Sequence, residues 1–274
     1  MLDHKVTGGG GLQLHVREWG RKDGPEVLFI HGWSQCHMCW HKQVTSDLAK
    51  DYRMIALDLR GHGMSEKPVA QERYTDTTLW ADDVAAVISA LGLKRPFVHA
   101  WSYGGLVVCD YVRHHGEGHI AGINFLGAAT TLNADAFGTY IGPGFFEPFA
   151  DATNDDLTKN IPAMRRFLGG VTHKPLPTDE FETALCWNMV VPPGVRGALG
   201  ARTLENDDVL ESLSVPVVVS HGREDTVVLP AMGEHILSVC PGAQASWYEA
   251  TGHAPMLEEP SRFNREIRTA MVAA

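Results

Sequence analysis

Ser102 lies where a short apolar run, residues 96–101, meets a helical pattern. Small residues, Ala100 and Gly104, stand two positions before it and two positions after it. This arrangement is typical of a nucleophile elbow, a sharp strand-to-helix turn that raises a serine hydroxyl above the sheet. The usual form has glycine at the first small position, so alanine departs from it by one methyl group. The structural alternative is a helix N-terminus that is capped by serine.

Asp225 is the candidate acid of this site. A serine hydroxyl becomes a good nucleophile only when a base removes its proton, and the base needs an acid to orient it. Asp225 follows a buried strand pattern at the carboxyl end, where active sites of open α/β sheets form. Glu224 is a weaker alternative for the same role, and an aspartate that only closes a turn is the structural alternative.

His253 is the candidate base among 14 histidines. It follows Gly252 in the loop between the last predicted strand and the last predicted helix. The order Ser, Asp, His along the chain is the one associated with this type of elbow. His221 is close to Asp225 but is expected to pack or to hold the loop. We therefore predict a catalytic triad of Ser102, Asp225 and His253.

An oxyanion hole requires two backbone N–H donors that point at the developing negative charge. Tyr103 is predicted to supply one, because it follows the nucleophile at a helix N-terminus, where the helix dipole also favours an anion. Trp33 is predicted to supply the other from the loop after the strand that ends at Ile30. Its indole is expected to shape the pocket floor. The alternative is a turn tryptophan that packs beneath the loop.

Alternating strand and helix patterns surround these residues. A strand with one exposed face is predicted at residues 12–19, and a helix is predicted through Trp40, Val44 and Leu48. Further helices are predicted at about residues 77–91 and after Pro260. Strands are predicted at 27–30, 53–57, 96–101, 120–126, 215–219 and 245–248, and the patterns at 27–30 and 120–126 indicate strands that are buried on both faces. This alternation implies a mostly parallel, doubly wound α/β sheet.

Residues 130–205 interrupt the pattern with prolines, glycines and aromatic residues among short helical pieces. We predict that this segment is a helical cap insertion between two parts of one core domain, residues 1–129 and 206–274. Its aromatic residues indicate an apolar pocket for an acyl or aromatic group, with Phe145 and Trp187 as the candidate wall residues. The alternative is that these side chains form the cap's own small core.

The composition restricts the class of partner. A formal net charge of −10 argues against nucleic-acid binding. No segment approaches the roughly 18 consecutive apolar residues of a membrane span, and the first residues show no secretory signal. Five scattered cysteines fit reduced thiols, so we expect a cytoplasmic protein. Cys36 and Cys39 have the spacing of a metal or redox pair, but without a second pair we expect them to pack, and we expect no metal.

Five motifs occur in an order that resembles the α/β-hydrolase fold superfamily, particularly its esterase, lactonase and non-haem haloperoxidase-like members. They are His31-Gly32-Trp33, Asp58-x-Arg60-Gly61-His62-Gly63-x-Ser65, Trp101-Ser102-Tyr103-Gly104-Gly105, His221-Gly222-x-x-Asp225 and Gly252-His253-Ala254-Pro255. The resemblance implies a mostly parallel eight-stranded sheet flanked by helices, a helical cap and the Ser102–Asp225–His253 triad. Haloalkane dehalogenases and epoxide hydrolases carry an aspartate at the nucleophile position, which argues against both. The loop from Asp58 to Ser65 is expected to be a structural turn.

The prediction for function is a cofactor-free serine hydrolase that cleaves a small carboxylic ester or lactone through an acyl-enzyme on Ser102. Alternatives on the same scaffold are a C–C bond hydrolase, a cofactor-free dioxygenase and a perhydrolase or haloperoxidase-like enzyme. A small-molecule receptor with slow turnover is the alternative outside enzymology. The expected partner is a small-molecule substrate, and we expect neither nucleic acid nor a membrane as a partner. Whether the chain forms a homo-oligomer is left open by the sequence.

Overall fold

Eight strands form one sheet in the computed structural model, which describes residues 1–273. The strands are β1 (Leu2–Thr7), β2 (Gln13–Gly20), β3 (Glu26–Ile30), β4 (Arg53–Leu57), β5 (Phe97–Trp101), β6 (Gly122–Leu126), β7 (Val217–Gly222) and β8 (Gln244–Tyr248). Their order across the sheet is β1-β2-β4-β3-β5-β6-β7-β8. The pairs β1–β2 and β2–β4 are antiparallel, and the other neighbouring pairs are parallel. The predicted mostly parallel sheet is therefore confirmed.

Helices flank this sheet and connect its strands. They are α1 (His41–Val44), α2 (Glu72–Thr75), α3 (Thr77–Ala90), α4 (Gly104–His115), α5 (Pro143–Ala152), α6 (Leu157–Val171), α7 (Thr178–Met189), α8 (Pro193–Gly200), α9 (Asp207–Ser212), α10 (Pro230–Val239), α11 (Pro255–Glu258) and α12 (Pro260–Ala273). Helix α3 packs against α4, and α12 contacts α1 and α11. Every residue of β4, β5 and β6 is buried, as expected for parallel strands that helices cover on both faces. Within residues 1–273, no helix is both long enough and apolar enough to cross a membrane.

The segment of residues 132–204, between β6 and β7, carries the four helices α5 to α8. Its two ends are joined by backbone hydrogen bonds between Leu132 and Leu204, at 2.8 and 2.7 Å. A second antiparallel bridge connects Ile141 to Val228, in the loop after β7. The boundaries predicted for the cap, at residues 130 and 205, lie close to the first bridge and stay a prediction.

The helix predicted through Trp40, Val44 and Leu48 is broken in the structure. A 3-10 helix covers His37–Trp40, α1 is only four residues long, and a second 3-10 helix covers Asp47–Lys50. The break occurs because Ser46 has an extended backbone and its hydroxyl accepts a hydrogen bond from the Leu48 N–H. The serine therefore starts a new helical turn instead of continuing the previous one.

Candidate active site

Ser102 occupies the turn between β5 and α4 with a left-handed backbone, at φ = +58°. This conformation is strained for any residue other than glycine, and such strain is concentrated at functional sites. The Ser102 N–H donates to the Leu126 carbonyl at 3.0 Å, and the Ser102 carbonyl accepts from the Ala129 N–H at 3.0 Å. The end of β6 and the loop behind it therefore hold the turn from both sides.

Small residues are required around Ser102 because backbones approach closely there. A Cβ atom at Gly104 would lie 2.6 Å from the Ile30 carbonyl oxygen, and one at Gly105 would lie 2.5 Å from the Ala129 carbonyl oxygen. Ala100, where the usual motif has glycine, is fully buried within β5. The extra methyl group is thus accommodated in the core.

Asp225 and His253 form a buried pair at the carboxyl ends of β7 and β8. The His253 Nδ1 lies 2.7 Å from the Asp225 Oδ2. The other carboxylate oxygen accepts the N–H groups of Val227 and Val228, at 2.8 and 3.0 Å. Burial raises the pKa of Asp225, but the nearby imidazoles of His253 and His221 outweigh this effect and hold the pKa at about 2. The carboxylate is therefore charged at neutral pH. The His253 Nδ1–H donates to it, which leaves the His253 Nε2 as the basic nitrogen.

Contacts with the elbow place this pair beside Ser102. The Trp101 indole N–H, directly before Ser102, donates to the His253 carbonyl at 2.8 Å. A Cβ atom at Gly127, after β6, would lie 3.3 Å from the His253 Nδ1 and 3.4 Å from the Asp225 Oδ2. The three predicted triad residues therefore lie at the same, carboxyl-terminal end of the parallel strands. Glu224, the weaker alternative for the acid, lies exposed on the surface.

His221 makes a contact that was not predicted from the sequence. Its Nε2 lies 2.9 Å from the Val228 carbonyl oxygen and 3.2 Å from the Asp225 Oδ2. The ring is fully buried. The expected role in holding the loop agrees with the bond to Val228, but His221 is also a second imidazole on the same carboxylate. The i,i+4 spacing of the two residues is the signal that could have indicated this contact.

The loop predicted to supply an oxyanion donor is held by two neutral imidazoles. The His31 Nε2 accepts the Leu59 N–H at 3.0 Å, and the His62 Nε2 accepts the Ser34 N–H at 3.2 Å. Burial lowers the pKa of His31 to about 4 and that of His62 to about 3. Both rings are therefore neutral acceptors at physiological pH. The loop from Asp58 to Ser65, expected to be structural, thus also supports the Trp33 loop.

The two predicted oxyanion donors, Trp33 and Tyr103, lie next to Ser102 around one cavity. Gly32, before Trp33, is so close to Ser102 that a Cβ atom there would lie 2.7 Å from the Ser102 Cβ. Among the residues that the structure describes, neither the Trp33 N–H nor the Tyr103 N–H has a backbone acceptor. Two amides that are free to bind an anion next to a serine hydroxyl are the arrangement that acyl transfer needs.

A small, almost entirely apolar cavity of about 30 Å³ opens beside Ser102. Its other lining residues are Trp33, Tyr103, Leu106, Ala129, Leu132, Ile141, Phe145, Gly200, Val227 and Val228. The structure thus places Phe145 on the wall of this cavity. Trp187 lines a separate cleft with Met38 and Leu257, and its indole N–H donates to the Gln35 Oε1 at 2.8 Å.

Comparison with known proteins defines the family. The family model for the alpha/beta hydrolase fold matches residues 25–260 of the sequence. The chain belongs to the α/β-hydrolase fold family. It is 36% identical to the esterase RhEst1 from Rhodococcus sp. ECU1013, with 99% of each chain covered and a TM-score of 0.94. It is 28% identical to a non-heme chloroperoxidase of Kitasatospora aureofaciens, over 94% of this chain and 95% of the relative. It is 25% identical to a bifunctional esterase/perhydrolase of Acinetobacter calcoaceticus, over 96% of this chain and 97% of the relative.

One cluster in this α/β hydrolase has the residue types of a metal site. His15, His37 and Asp58 are buried and close enough together to bind one ion. However, the Nδ1 atoms of His15 and His37 each lie 2.9 Å from an Asp58 oxygen, and the His37 N–H donates to Asp58 at 2.7 Å. These hydrogen bonds already use both carboxylate oxygens. Burial raises the pKa of the nearby Cys36 thiol to about 12, which fits a packing role.

Proposed function

We propose that this α/β hydrolase cleaves small carboxylic esters or lactones through an acyl-enzyme on Ser102. The observation that carries the proposal is the left-handed Ser102 turn beside the buried Asp225–His253 pair, whose hydrogen bond is 2.7 Å long. The similarity to the Rhodococcus esterase, over nearly the full length of both chains, supports the same reaction class.

The proposed reaction begins when the His253 Nε2 takes the Ser102 proton and the serine oxygen attacks the ester carbonyl. Asp225 holds the His253 Nδ1–H and stabilises the imidazolium that forms. The backbone N–H groups of Trp33 and Tyr103 bind the oxyanion. The imidazolium then protonates the leaving alcohol, and a water molecule activated by His253 releases the acid and restores the Ser102 hydroxyl.

The cavity beside Ser102 indicates a short acyl group. The cavity is small, at about 30 Å³, and its lining is almost entirely apolar. An acetyl methyl group fits such a space, whereas an eight-carbon chain requires that the cap residues move apart. We therefore propose a preference for acetyl over longer acyl groups.

The test is hydrolysis of p-nitrophenyl acetate, butyrate and octanoate by the wild type and by Ser102→Ala. Loss of the nucleophile is expected to lower kcat on the acetate by about 10⁴-fold or more. Ser89→Ala, at an exposed position of α3, is the control and is expected to keep full activity. Turnover that does not depend on Ser102 would refute the proposed function. A wild-type protein without any turnover would refute it as well.

Perhydrolysis is a second candidate, because the relatives include a non-heme chloroperoxidase and an esterase/perhydrolase. Hydrogen peroxide would replace water at the acyl-enzyme, so that the acyl group leaves as a peracid and Ser102 regains its proton. The peracid would then oxidise bromide to hypobromous acid and return to the carboxylic acid. Bromination of monochlorodimedone in acetate and peroxide, lost in Ser102→Ala, is the expected result if this reaction occurs.

A further inference from the structure

Arg196, in the cap helix α8, is a buried cation whose hydrogen-bond acceptors are all uncharged. Its Nε donates to the Ser34 hydroxyl at 3.0 Å. Its Nη1 donates to the Ala152 carbonyl at 2.9 Å and to the Asn160 side chain at 3.0 Å, and its Nη2 donates to the Asn188 carbonyl at 2.7 Å. One guanidinium thus joins α5, α6 and α7 to the loop that carries Trp33.

This arrangement costs free energy. Only 1% of the Arg196 surface is exposed, and burial lowers its pKa to about 10, so that it remains charged at neutral pH. A buried charge without an opposite charge is unfavourable, and apolar side chains usually stabilise a core as well or better. A role in packing alone therefore does not explain an arginine at this position.

The contacts of Arg196 converge on the loop between Gly32 and Gln35. Ser34 has a left-handed backbone, at φ = +59°, and its hydroxyl both accepts from Arg196 and donates to the Asn188 carbonyl at 3.1 Å. The Trp33 indole N–H donates to the Arg196 carbonyl at 3.1 Å. The side chain and the carbonyl of Arg196 therefore fix two consecutive residues of the loop.

The same helix also contacts the second oxyanion residue. The Tyr103 hydroxyl donates to the Leu199 carbonyl at 3.3 Å and accepts from Arg202, just after α8, at 3.2 Å. Arg202 in turn pairs with Asp110 of α4 at 2.5 Å. Helix α8 thus bonds to the side chains of both Trp33 and Tyr103, the residues whose amides are proposed to bind the oxyanion.

We propose that Arg196 is a positioning residue, which holds the oxyanion loop in its active conformation by connecting it to the cap helices. The inference rests on the proposed esterase function. A residue that acts only through the geometry of the oxyanion hole lowers kcat and kcat/KM together and leaves KM nearly unchanged, because the interaction is made only in the transition state.

The experiment compares Arg196→Lys and Ser34→Ala with the wild type on p-nitrophenyl acetate. Lysine keeps the charge but cannot bond to four acceptors in the fixed geometry of a guanidinium. Removal of one oxyanion donor costs about 10²–10³-fold in kcat, so a displaced donor is expected to cost about 10- to 100-fold, with KM changed less than about threefold. Ser34→Ala is expected to act in the same direction, and the double variant is expected to be no worse than Arg196→Lys.

Leu168→Ala is the control for a loosened cap, because it truncates a buried apolar side chain of α6. It is expected to lower Tm without this loss of kcat. If Arg196→Lys lowers Tm but keeps kcat, or changes KM alone, the inference is overturned. If Arg196→Lys does not fold, Ser34→Ala decides, since it leaves the bonds of Arg196 to the cap helices intact. An inactive wild type would overturn the proposed function as well, whereas an active wild type with unaffected variants overturns only this inference.

Discussion

At the scale of single residues, Asp225 is shared by two imidazoles, and the site requires them to differ in role. His253 lies 2.7 Å from the carboxylate and beside the Ser102 turn, whereas His221 lies 3.2 Å away and also bonds to the Val228 carbonyl. The first ring is therefore expected to transfer protons, and the second is expected to hold the carboxylate in place.

Asp225→Asn tests this division. An amide can present its NH₂ group to His253 and stabilise the wrong tautomer, so kcat on p-nitrophenyl acetate is expected to fall by about 10⁴-fold. His221→Gln leaves the Asp225–His253 bond intact, and we expect a loss of about 10- to 100-fold, as for other residues that orient the groups of a site from behind. Equal losses in the two variants would contradict the assignment.

Sequence order and local motifs led to the prediction of Ser102, Asp225 and His253, because each stands within a few residues after a recognisable strand. The contacts that hold these residues could not be predicted in the same way. His62 accepts a hydrogen bond from Ser34, which lies 28 positions earlier, and no local pattern specifies such a pair. The cleft that Trp187 lines could not be predicted either, because the sequence of a helix does not indicate which neighbour its buried face contacts.

At the scale of elements, the approach of α4 to β3 depends on Gly104. Gly104→Ala puts a methyl group 2.6 Å from the Ile30 backbone carbonyl, which cannot turn away as a side chain could. The helix must shift, so the free energy of unfolding is expected to fall by about 1–3 kcal/mol, with loss of esterase activity. Urea denaturation and kcat on p-nitrophenyl acetate measure the two effects.

Gly169→Ala is the matched control, because this glycine lies exposed within α6 and an added methyl group would meet no atom within 4 Å. Alanine is favoured over glycine inside a helix, so stability is expected to rise by about 0.5–1 kcal/mol. A stable and active Gly104→Ala protein would contradict the requirement for close packing at the elbow.

The strands with continuous apolar runs were predictable because both of their faces are buried. β1 was missed for the opposite reason: Val6 is the only buried residue of Leu2–Thr7. Backbone groups pair β1 with β2, and the pattern of side chains does not indicate this pairing. The prediction of eight strands therefore came from the family resemblance and not from the periodicity.

At the scale of the whole molecule, three histidines are enclosed in the folded chain without charge. Burial lowers the pKa of His31 to about 4 and those of His62 and His99 to about 3, from the ordinary value of 6.5. In the unfolded chain each ring takes up a proton below about pH 6.5, whereas the folded chain does not. The stability from these rings is therefore present above pH 6.5 and is lost as the pH falls towards 4.

His15 has the opposite shift: hydrogen bonds to Asp58 raise its pKa against the effect of burial. Its contribution is present below pH 6.5 and is lost only as the pH rises through its folded pKa. It therefore does not add to the loss of stability in acid.

The unfolding free energy, measured in urea from pH 8 to pH 4.5, is thus expected to fall below pH 6.5 by about 1.4 kcal/mol per pH unit for each neutral buried histidine. His99 gives the cleanest test, because its ring lies among Phe29, Phe97 and Phe263, with ring centroids 5.3 to 5.6 Å away. His99→Gln is expected to reduce the slope by the contribution of one histidine, even if it lowers stability at every pH. Ser89→Ala, at an exposed position without a titratable group, is expected to leave the slope unchanged. An unchanged slope in His99→Gln would show that burial of this neutral ring is not what limits the stability of the fold in acid.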